Sequence, residues 1–165
     1  MPLYYPPPNR LTFSSAVAVV RNSVNGAGDA TAQTMATITI PGGAVGPNGL
    51  MNVIAEWSYT NSVNVKTIRG KIGGTGGTTF MTTGPTTTLS VNQFKKIANV
   101  NSNSSQKFMV AGIIGIAAST ANALATSAID TSAAFTIVLE CLWAGAVAAE
   151  NITLESYFID VVYSA

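Results

Sequence analysis

The stretch that decides the fold is "TMATITIP", residues 34–41, followed after a turn by "LMNVIAEWSYT", residues 50–60. In the first segment Ala36, Ile38 and Ile40 alternate with threonines, which is the period of a half-buried strand. In the second segment every other residue is apolar: Met51, Val53, Ala55, Trp57 and Tyr59. The connecting "GGAVGPNG" has the glycines, proline and asparagine of a turn. The pattern therefore predicts two strands and no helix here.

The period of two continues along the chain. In "VKTIRGKI", residues 65–72, Lys66, Ile68, Gly70 and Ile72 share one face. Further strands are predicted within residues 11–20, 86–100, 105–116, 134–145 and 151–164. Residues 119–133 are rich in Thr, Ser and Asn, which predicts an irregular or extended passage. Eight to ten strands with little helix predict an all-β fold, an antiparallel β-sandwich.

The glycine-rich stretch "IRGKIGGTGGTTFMTTGP", residues 68–85, resembles a phosphate-binding loop at first sight. Such a loop needs Ser or Thr directly after its lysine and a helix that begins there. Ile72 follows Lys71 instead, and the residues beyond are threonine-rich and poor in helix formers. The stretch therefore predicts a hairpin turn between two extended segments.

Composition points to contacts with other protein chains. The 165 residues are 47% hydrophobic and only 9% charged, with a net charge of +1, against about a quarter charged in typical domains. Bulk attraction to nucleic acid or to an anionic membrane is therefore not expected, and the longest apolar runs are too short to span a bilayer. We predict an oligomer whose subunits cover much of the surface. The alternative is a lone domain kept soluble by hydroxyl and amide groups.

The residues of common active sites are scarce. The chain has no histidine, and its single cysteine, Cys141, lies in an apolar segment typical of a core position. Glu140 and Glu155 could be neighbours, as a glycosidase requires, but ordinary ion pairs are the favoured interpretation. A calcium site at residues 25–29 is weaker than a simple turn. We predict no catalytic residues, no cofactor, no metal and no enzymatic activity.

The first ten residues, "MPLYYPPPNR", form a separate element of the predicted organisation, with the sandwich at residues 11–165. The prolines exclude helix and favour an extended polyproline-like arm. The arm could pack on its own domain or dock on a neighbour, because it offers apolar and aromatic anchors at low entropic cost. The predicted partner-binding residues are Leu3, Tyr4, Tyr5, Pro6, Pro7 and Pro8.

Two segments near the C-terminus, residues 135–145 and 151–163, have hydrophobic residues on both strand faces. One face of a strand in a lone sandwich should meet solvent. We therefore predict that one of these faces packs against other subunits. The candidate interface residues are Val138, Leu142, Trp143 and Phe158.

Three segments together resemble a β-sandwich domain that recurs in virion proteins of tailed bacteriophages. They are "ATITIPGGAVGPNGLMNVIAEWSYTNSVNVKTIRGKIGGT" with the later "TTF", then "IANVNSNSSQ", and finally "AIDTSAAFTIVLECLWA" with "ENITLESYFIDVV". The resemblance covers roughly residues 11–162. It implies a jelly-roll-like sandwich that assembles as a homotrimer, with the predicted interface at the trimer axis. It brings no catalytic residues.

Members of this group occur as head decoration (cement) proteins, as head fibres and as knobs of tail fibres. Only ten residues precede the sandwich here, whereas a fibre tip normally follows a long shaft. The resemblance therefore implies a cement protein on the capsid surface of the virion, assembled in the host cytoplasm, that bridges subunits of the major capsid protein. The alternative is a tail-fibre or head-fibre knob that binds a host surface receptor or glycan.

Overall fold

Two antiparallel sheets face each other in the computed structural model, which describes residues 10–109, 124–145 and 147–165. The predicted arm residues Leu3, Tyr4, Tyr5, Pro6, Pro7 and Pro8 lie outside the described residues. Most of the apolar run at residues 108–118 and the first part of the predicted irregular passage also lie outside them.

Eleven strands and a short 3-10 helix, Ala27–Ala30, form the described part of the chain. The strands are β1 (Arg10–Ser15), β2 (Val19–Asn22), β3 (Gln33–Ile40), β4 (Leu50–Tyr59), β5 (Lys66–Ile72), β6 (Thr78–Thr83), β7 (Ser90–Asn99), β8 (Gln106–Phe108), β9 (Ala125–Ser127), β10 (Phe135–Trp143) and β11 (Asn151–Val162). The larger sheet has seven strands in the order β1-β11-β4-β7-β8-β9, and β2 also pairs with β11. The smaller sheet has the order β3-β10-β5-β6. The predicted all-β, jelly-roll-like sandwich is confirmed.

The single strand predicted at residues 11–20 is wrong in one respect, because the chain forms two strands there. β1 pairs with residues 157–162 of β11, and β2 pairs with residues 151–154 of the same strand. The hydroxyl of Ser15 accepts a hydrogen bond from the Val17 N–H at 3.2 Å, which turns the chain out of the ladder. β11 itself has an irregularity at Glu155. β1 therefore pairs with β11 on one side of this bulge, and β2 pairs with it on the other side.

The predicted alternation is confirmed in β4 and β5; in β3 it holds at Ile38 and Ile40, but Met35 is buried and Ala36 half-buried where the register with β10 shifts. Each of the five apolar residues predicted on one face of β4 is buried, and the β5 face that starts with Lys66 is buried throughout. These side chains meet those of β10 and β11 between the two sheets, with Trp57 and Trp143 at the centre of the core. Cys141 is also buried there, as its sequence context predicts.

The glycine-rich stretch is a hairpin, as predicted. β5 and β6 pair across residues 73–77, where Gly73 and Gly74 have φ of +90° and +87°, a conformation that favours glycine. Lys71 donates from its ammonium group to the carbonyl oxygen of Thr75 inside this turn. A strand and not a helix follows the glycines, so the geometry of a phosphate loop is not present.

Strand pairing divides the connecting loops between two ends of the sandwich. We call the end at which β1 begins the proximal end; it includes the loops at residues 41–49, 100–105 and 128–134 and the final residues 163–165. The opposite, distal end includes the loops at residues 23–32, 60–65, 84–89 and 144–150. The predicted arm, residues 1–10, therefore connects to the proximal end, although its last residue, Arg10, already belongs to β1.

Candidate functional site

Three apolar side chains lie side by side on the outer face of the larger sheet. Ile54 of β4 is opposite Phe94 of β7 on one side and opposite Phe158 of β11 on the other. Phe94 is 48% exposed and Phe158 38% exposed, and Ile54 is half-buried between them. We call these three residues the outer row. A continuous apolar strip across three neighbouring strands is a feature of protein interaction surfaces.

Polar residues flank the outer row on both sides. On one side Glu56 accepts hydrogen bonds from the Ser156 hydroxyl at 2.7 Å and from the Asn92 amide at 3.2 Å. On the other side Asp160 accepts hydrogen bonds from Arg10 at 2.7 Å and from the Asn52 amide at 3.3 Å. An apolar centre with a polar rim that is already hydrogen-bonded can be covered by a partner at low desolvation cost.

The charge on Asp160 depends on these contacts. The hydrogen bond from Arg10 lowers the pKa of Asp160; burial opposes this shift, while the amide of Asn52 and the positive charge of Arg10 support it. Asp160 is therefore ionised at neutral pH and holds the first residue of β1 against β11. The rim of the outer row thus includes the charge pair of Arg10 and Asp160, which lies where the predicted arm joins β1.

The four predicted interface residues do not share one surface. Val138 and Leu142 point to the outer side of the smaller sheet, where Val138 is buried between Thr37 and Lys71 and Leu142 is half-buried. Trp143 is fully buried in the core of the single chain and has no surface to offer a second copy. Phe158 belongs to the exposed outer row. The interface itself stays a prediction, and Phe158 is the most exposed of the four predicted residues.

Glu140 and Glu155 are not neighbours, so the disfavoured possibility of a glycosidase pair is excluded. Glu140 lies on the outer side of the smaller sheet, whereas Glu155 belongs to the larger sheet and accepts a hydrogen bond from Ser58. Strand alternation cannot reveal which sheet each strand joins, and these two carboxylates are separated by the sandwich. Glu140 instead contacts Arg69 at 2.8 Å and Lys71 at 3.2 Å, the ion-pair arrangement that the sequence favoured.

A buried ion pair holds the distal loops together. The Lys66 ammonium is fully buried and lies 3.4 Å from a carboxylate oxygen of Glu150. It also donates to the Ser62 hydroxyl at 2.6 Å and to the carbonyls of Asn64 and Thr86 at 3.0 and 3.3 Å. Three distal loops therefore converge on one cation.

Glu150 extends this network to a fourth loop. Its carboxylate accepts a hydrogen bond from the Asn64 amide at 2.6 Å, and its backbone N–H donates to the Ser23 hydroxyl at 2.9 Å. Burial alone would raise the pKa of Glu150, but hydrogen bonds from Ser62 and Asn64 and the charge of Lys66 outweigh it and lower the pKa. Glu150 is therefore ionised at neutral pH and remains paired with Lys66.

Asp29 is a second buried carboxylate at the distal end. Its oxygens accept backbone N–H hydrogen bonds from Val24 at 2.7 Å, Asn25 at 3.0 Å and Val147 at 2.9 Å. Burial would raise its pKa, but the hydrogen bonds of Val147, Val24, Gly26 and Asn25 lower it. A calcium site would surround a cation with oxygen atoms, whereas this loop surrounds an anion with N–H groups. The interpretation of residues 25–29 as a turn is confirmed by this geometry.

The proximal loops are joined by neutral groups. The buried Asn99 amide donates to the carbonyl of Gly46 at 2.6 Å and to the hydroxyl of Thr131 at 2.8 Å. Gln106, also fully buried, donates to the side-chain oxygen of Asn99 at 2.9 Å and accepts from the Ile129 N–H at 3.0 Å. These amides hold four separate segments at fixed positions without any ionised group.

Sequence reasoning missed most of the outer row and the pairing of Lys66. Ile54 was a signal, because it is an apolar residue among polar ones on the outward face of β4, and Phe94 stands next to two lysines in the same way. Among the described residues no group of three or more Cys, Asp or Glu side chains could hold a metal ion, and no helix is long and apolar enough to cross a membrane.

No known family model and no curated protein matches this chain. Among solved structures, the infectious bursal disease virus VP2 subviral particle is similar over 94% of this chain and 33% of that chain, at 14% identity and a TM-score of 0.47. Infectious bursal disease virus of the Gt strain is similar over 93% and 32%, at 12% identity and a TM-score of 0.41. The chain thus spans about one third of the viral chains it matches. The fold assignment rests on the strand pairing of this chain itself.

Proposed function

We propose that this chain is a structural protein of a virus particle, a capsid decoration protein of a tailed bacteriophage that assembles as a homotrimer and bridges subunits of the major capsid protein. The observation that supports this best is the outer row, an exposed apolar strip on a sheet face whose polar rim is already hydrogen-bonded. The low charge of the chain and the resemblance of its sequence to phage virion domains support the same proposal.

In this proposal the two parts of the protein have different partners. The outer row packs against other copies and holds the trimer together, while the N-terminal arm lies on the capsid. A proline-rich arm loses little conformational entropy on docking, and three arms on one trimer gain avidity from each other. The trimer thereby links capsid subunits that one arm alone would hold weakly.

The self-association is tested by Phe94→Ser/Phe158→Ser, which removes the two exposed rings without touching the core. Sedimentation of the unmodified chain at micromolar concentration should give a trimer, and the double variant should give a monomer with unchanged circular dichroism. Val63→Ser at the distal end is the matched control, because Val63 is also highly exposed but lies away from the outer row. A monomeric unmodified chain, or a double variant that remains trimeric, would contradict the proposal.

The capsid contact is tested with heads of the cognate phage that lack the decoration protein. Adding the full chain should raise the temperature at which these heads break, and a chain without residues 1–9 should be trimeric yet fail to stay on the heads. Retention of the shortened trimer on heads would show that the arm is not the attachment.

The alternative function, a knob that binds a host surface receptor or glycan, has one observation in its favour. The distal loops expose Val24, Val63 and Leu89, which are 69%, 82% and 65% exposed, at the end opposite the arm. A receptor-binding tip would present its contact residues there. If this alternative holds, the chain without residues 1–9 should bind host cells as well as the full chain, and Val63→Asp should abolish the binding.

A further inference from the structure

A cleft of about 350 Å³ opens on the proximal end, next to the residue where the described chain begins. The described residues that line it are Arg10, Leu11, Ala44 and Tyr163. Leu11 and Tyr163 are large apolar or aromatic side chains that remain 38% exposed. Clefts of roughly this size, from about 300 Å³ upward, are large enough to take a side chain or small ligand from solution.

One wall of the cleft is held in place by the end of the chain. The N–H of Ser164 donates to the carbonyl of Val45 at 3.3 Å, and the Asn48 N–H donates to the carbonyl of Ser164 at 3.1 Å. The backbone of Gly46, with φ of +73°, approaches the Tyr163 ring so closely that an added Cβ would lie 2.8 Å from it. This wall of the cleft is therefore fixed before anything binds, which lowers the entropic cost of binding.

The charge in the cleft is already engaged. The Arg10 guanidinium makes two contacts with Asp160, one of them at 2.7 Å, so it offers the cleft no unpaired charge. Lined also by Leu11, Ala44 and the ring of Tyr163, the cleft suits an aromatic ring or a proline better than an anion.

We propose that this cleft binds Tyr4 and Tyr5 from the N-terminal arm of a second copy of the chain. Nine residues precede Arg10, and the last part of that segment, Pro6 to Pro8, favours a stiff polyproline helix of about 9 Å. A stiff spacer between Arg10 and Tyr5 makes it harder for Tyr5 to return to a cleft that Arg10 of the same chain lines. The arm of a neighbouring copy has no such restriction.

The inference rests on the proposed function in that the copies must lie close together on the particle. It extends that function by naming the surface that the two tyrosines of each arm contact. Tyr4 and Tyr5 stand six and five residues before Arg10, so they extend at most roughly 20 Å from it and can reach a cleft of the next copy that lies within this distance. The decoration proteins would then fasten one another as well as the shell.

Disulfide trapping tests this arrangement with the full chain. One variant carries Tyr5→Cys, and a second variant carries Ala44→Cys together with a tag that makes it longer. Mixed, added to heads that lack the decoration protein and then oxidised, they should form a disulfide-linked heterodimer on a non-reducing gel, because a bridge needs Cα atoms within about 7 Å. Tyr5→Cys mixed with a tagged Val63→Cys variant is the control and should form no such band. Cys141 is buried and does not compete.

The outcomes separate this inference from the proposed function. Loss of the heterodimer while sedimentation shows a trimer and heads retain the chain would overturn the inference alone. A chain with both Tyr5→Cys and Ala44→Cys that forms only an internal bridge would also overturn it, since the arm would then fold back on its own domain. Loss of the heterodimer band on adding Tyr163→Ser to the Ala44→Cys variant would support it.

Discussion

At each end of the sandwich, buried polar side chains join several loops, but the two ends use different chemistry. At the distal end four loops converge on the buried pair of Lys66 and Glu150, and Asp29 fixes a loop beside them. At the proximal end a similar number of segments converges on Asn99 and Gln106, which are buried and uncharged. Both networks satisfy polar groups that folding removes from water.

This difference determines how each network responds to the loss of a partner and to a change in pH. Buried ionised groups cost several kcal/mol when one partner is lost, and their contribution changes when a carboxylate is protonated. Amides lose less when a partner is removed and do not titrate. The amide network of Asn99 and Gln106 is thus independent of pH, although Asp130 and the pair of Asp160 with Arg10 titrate at the same end.

The largest expected effect comes from breaking the distal pair. Lys66→Met leaves Glu150 buried without its cation and should lower the free energy of unfolding by about 3 to 5 kcal/mol. Lys66→Met/Glu150→Gln removes both charges and should recover part of that loss. Lys107→Met, which changes an exposed lysine, is the control. Denaturant unfolding measures all three, and a cost for Lys66→Met no larger than for the control would refute the importance of the pair.

A smaller effect is expected at the proximal end. Gln106→Leu leaves the side-chain oxygen of Asn99 and the N–H of Ile129 without their partner, which should cost about 1 to 3 kcal/mol. The loss should be the same from about pH 3 to about pH 7, because no group in this network titrates there. A loss that grows on acidification would show that the network is coupled to a charged group.

The distal end should contribute to the response to acid. The pKa values of Glu150 and Asp29 lie below their ordinary values of 4.5 and 3.8, so the unfolded chain takes up protons first. Their stabilising contribution is complete above the ordinary values and is lost as the pH falls through the lowered ones. Thermal unfolding followed against pH should show a slope below about pH 4.5.

Three variants show which residues cause this slope. Glu150→Gln and Asp29→Asn should each flatten it, and Gln106→Leu should retain the slope of the unmodified chain. Asp160 and Asp130, whose pKa values are also lowered by hydrogen bonds, should leave a residual slope in every variant. Equal slopes in Glu150→Gln and in the unmodified chain would assign the acid response to other carboxylates.

The smallest effect is expected from salt. Lys66 and Glu150 are almost completely shielded from solvent, so raising NaCl from about 0.05 M to about 1 M should change the free energy of unfolding by less than about 0.5 kcal/mol. Parallel denaturation series at the two concentrations measure this. A large loss at high salt would place the stabilising charges on the surface and not in the distal network.

The strands were predictable because each depends on a local pattern. The alternation in β4 identifies its buried face, and the same pattern placed Lys66 on the buried face of β5 although lysine is rarely found there. The hairpin at residues 73–77 followed from its glycines. The break between β1 and β2 was not predictable, because it coincides with a bulge in β11, which is more than a hundred residues later in the chain.

The candidate surfaces were less predictable because they depend on register between distant strands. Ile54, Phe94 and Phe158 each resemble an isolated exposed residue in the sequence, and only the pairing of β4 with β7 and β11 joins them. Glu150 becomes the partner of Lys66 in the same way, through loops far apart in the chain.

The attachment of β1 has a mechanical consequence. β1 begins at Arg10, pairs with β11 over six residues, and is clamped at its first residue by Asp160. Hydrogen bonds of an antiparallel ladder lie across the strands, so tension on the N-terminus directed along β1 strains all six pairs together in shear. A tether rooted in this way resists stretching until the whole strand slips, whereas one pulled at right angles would unzip pair by pair.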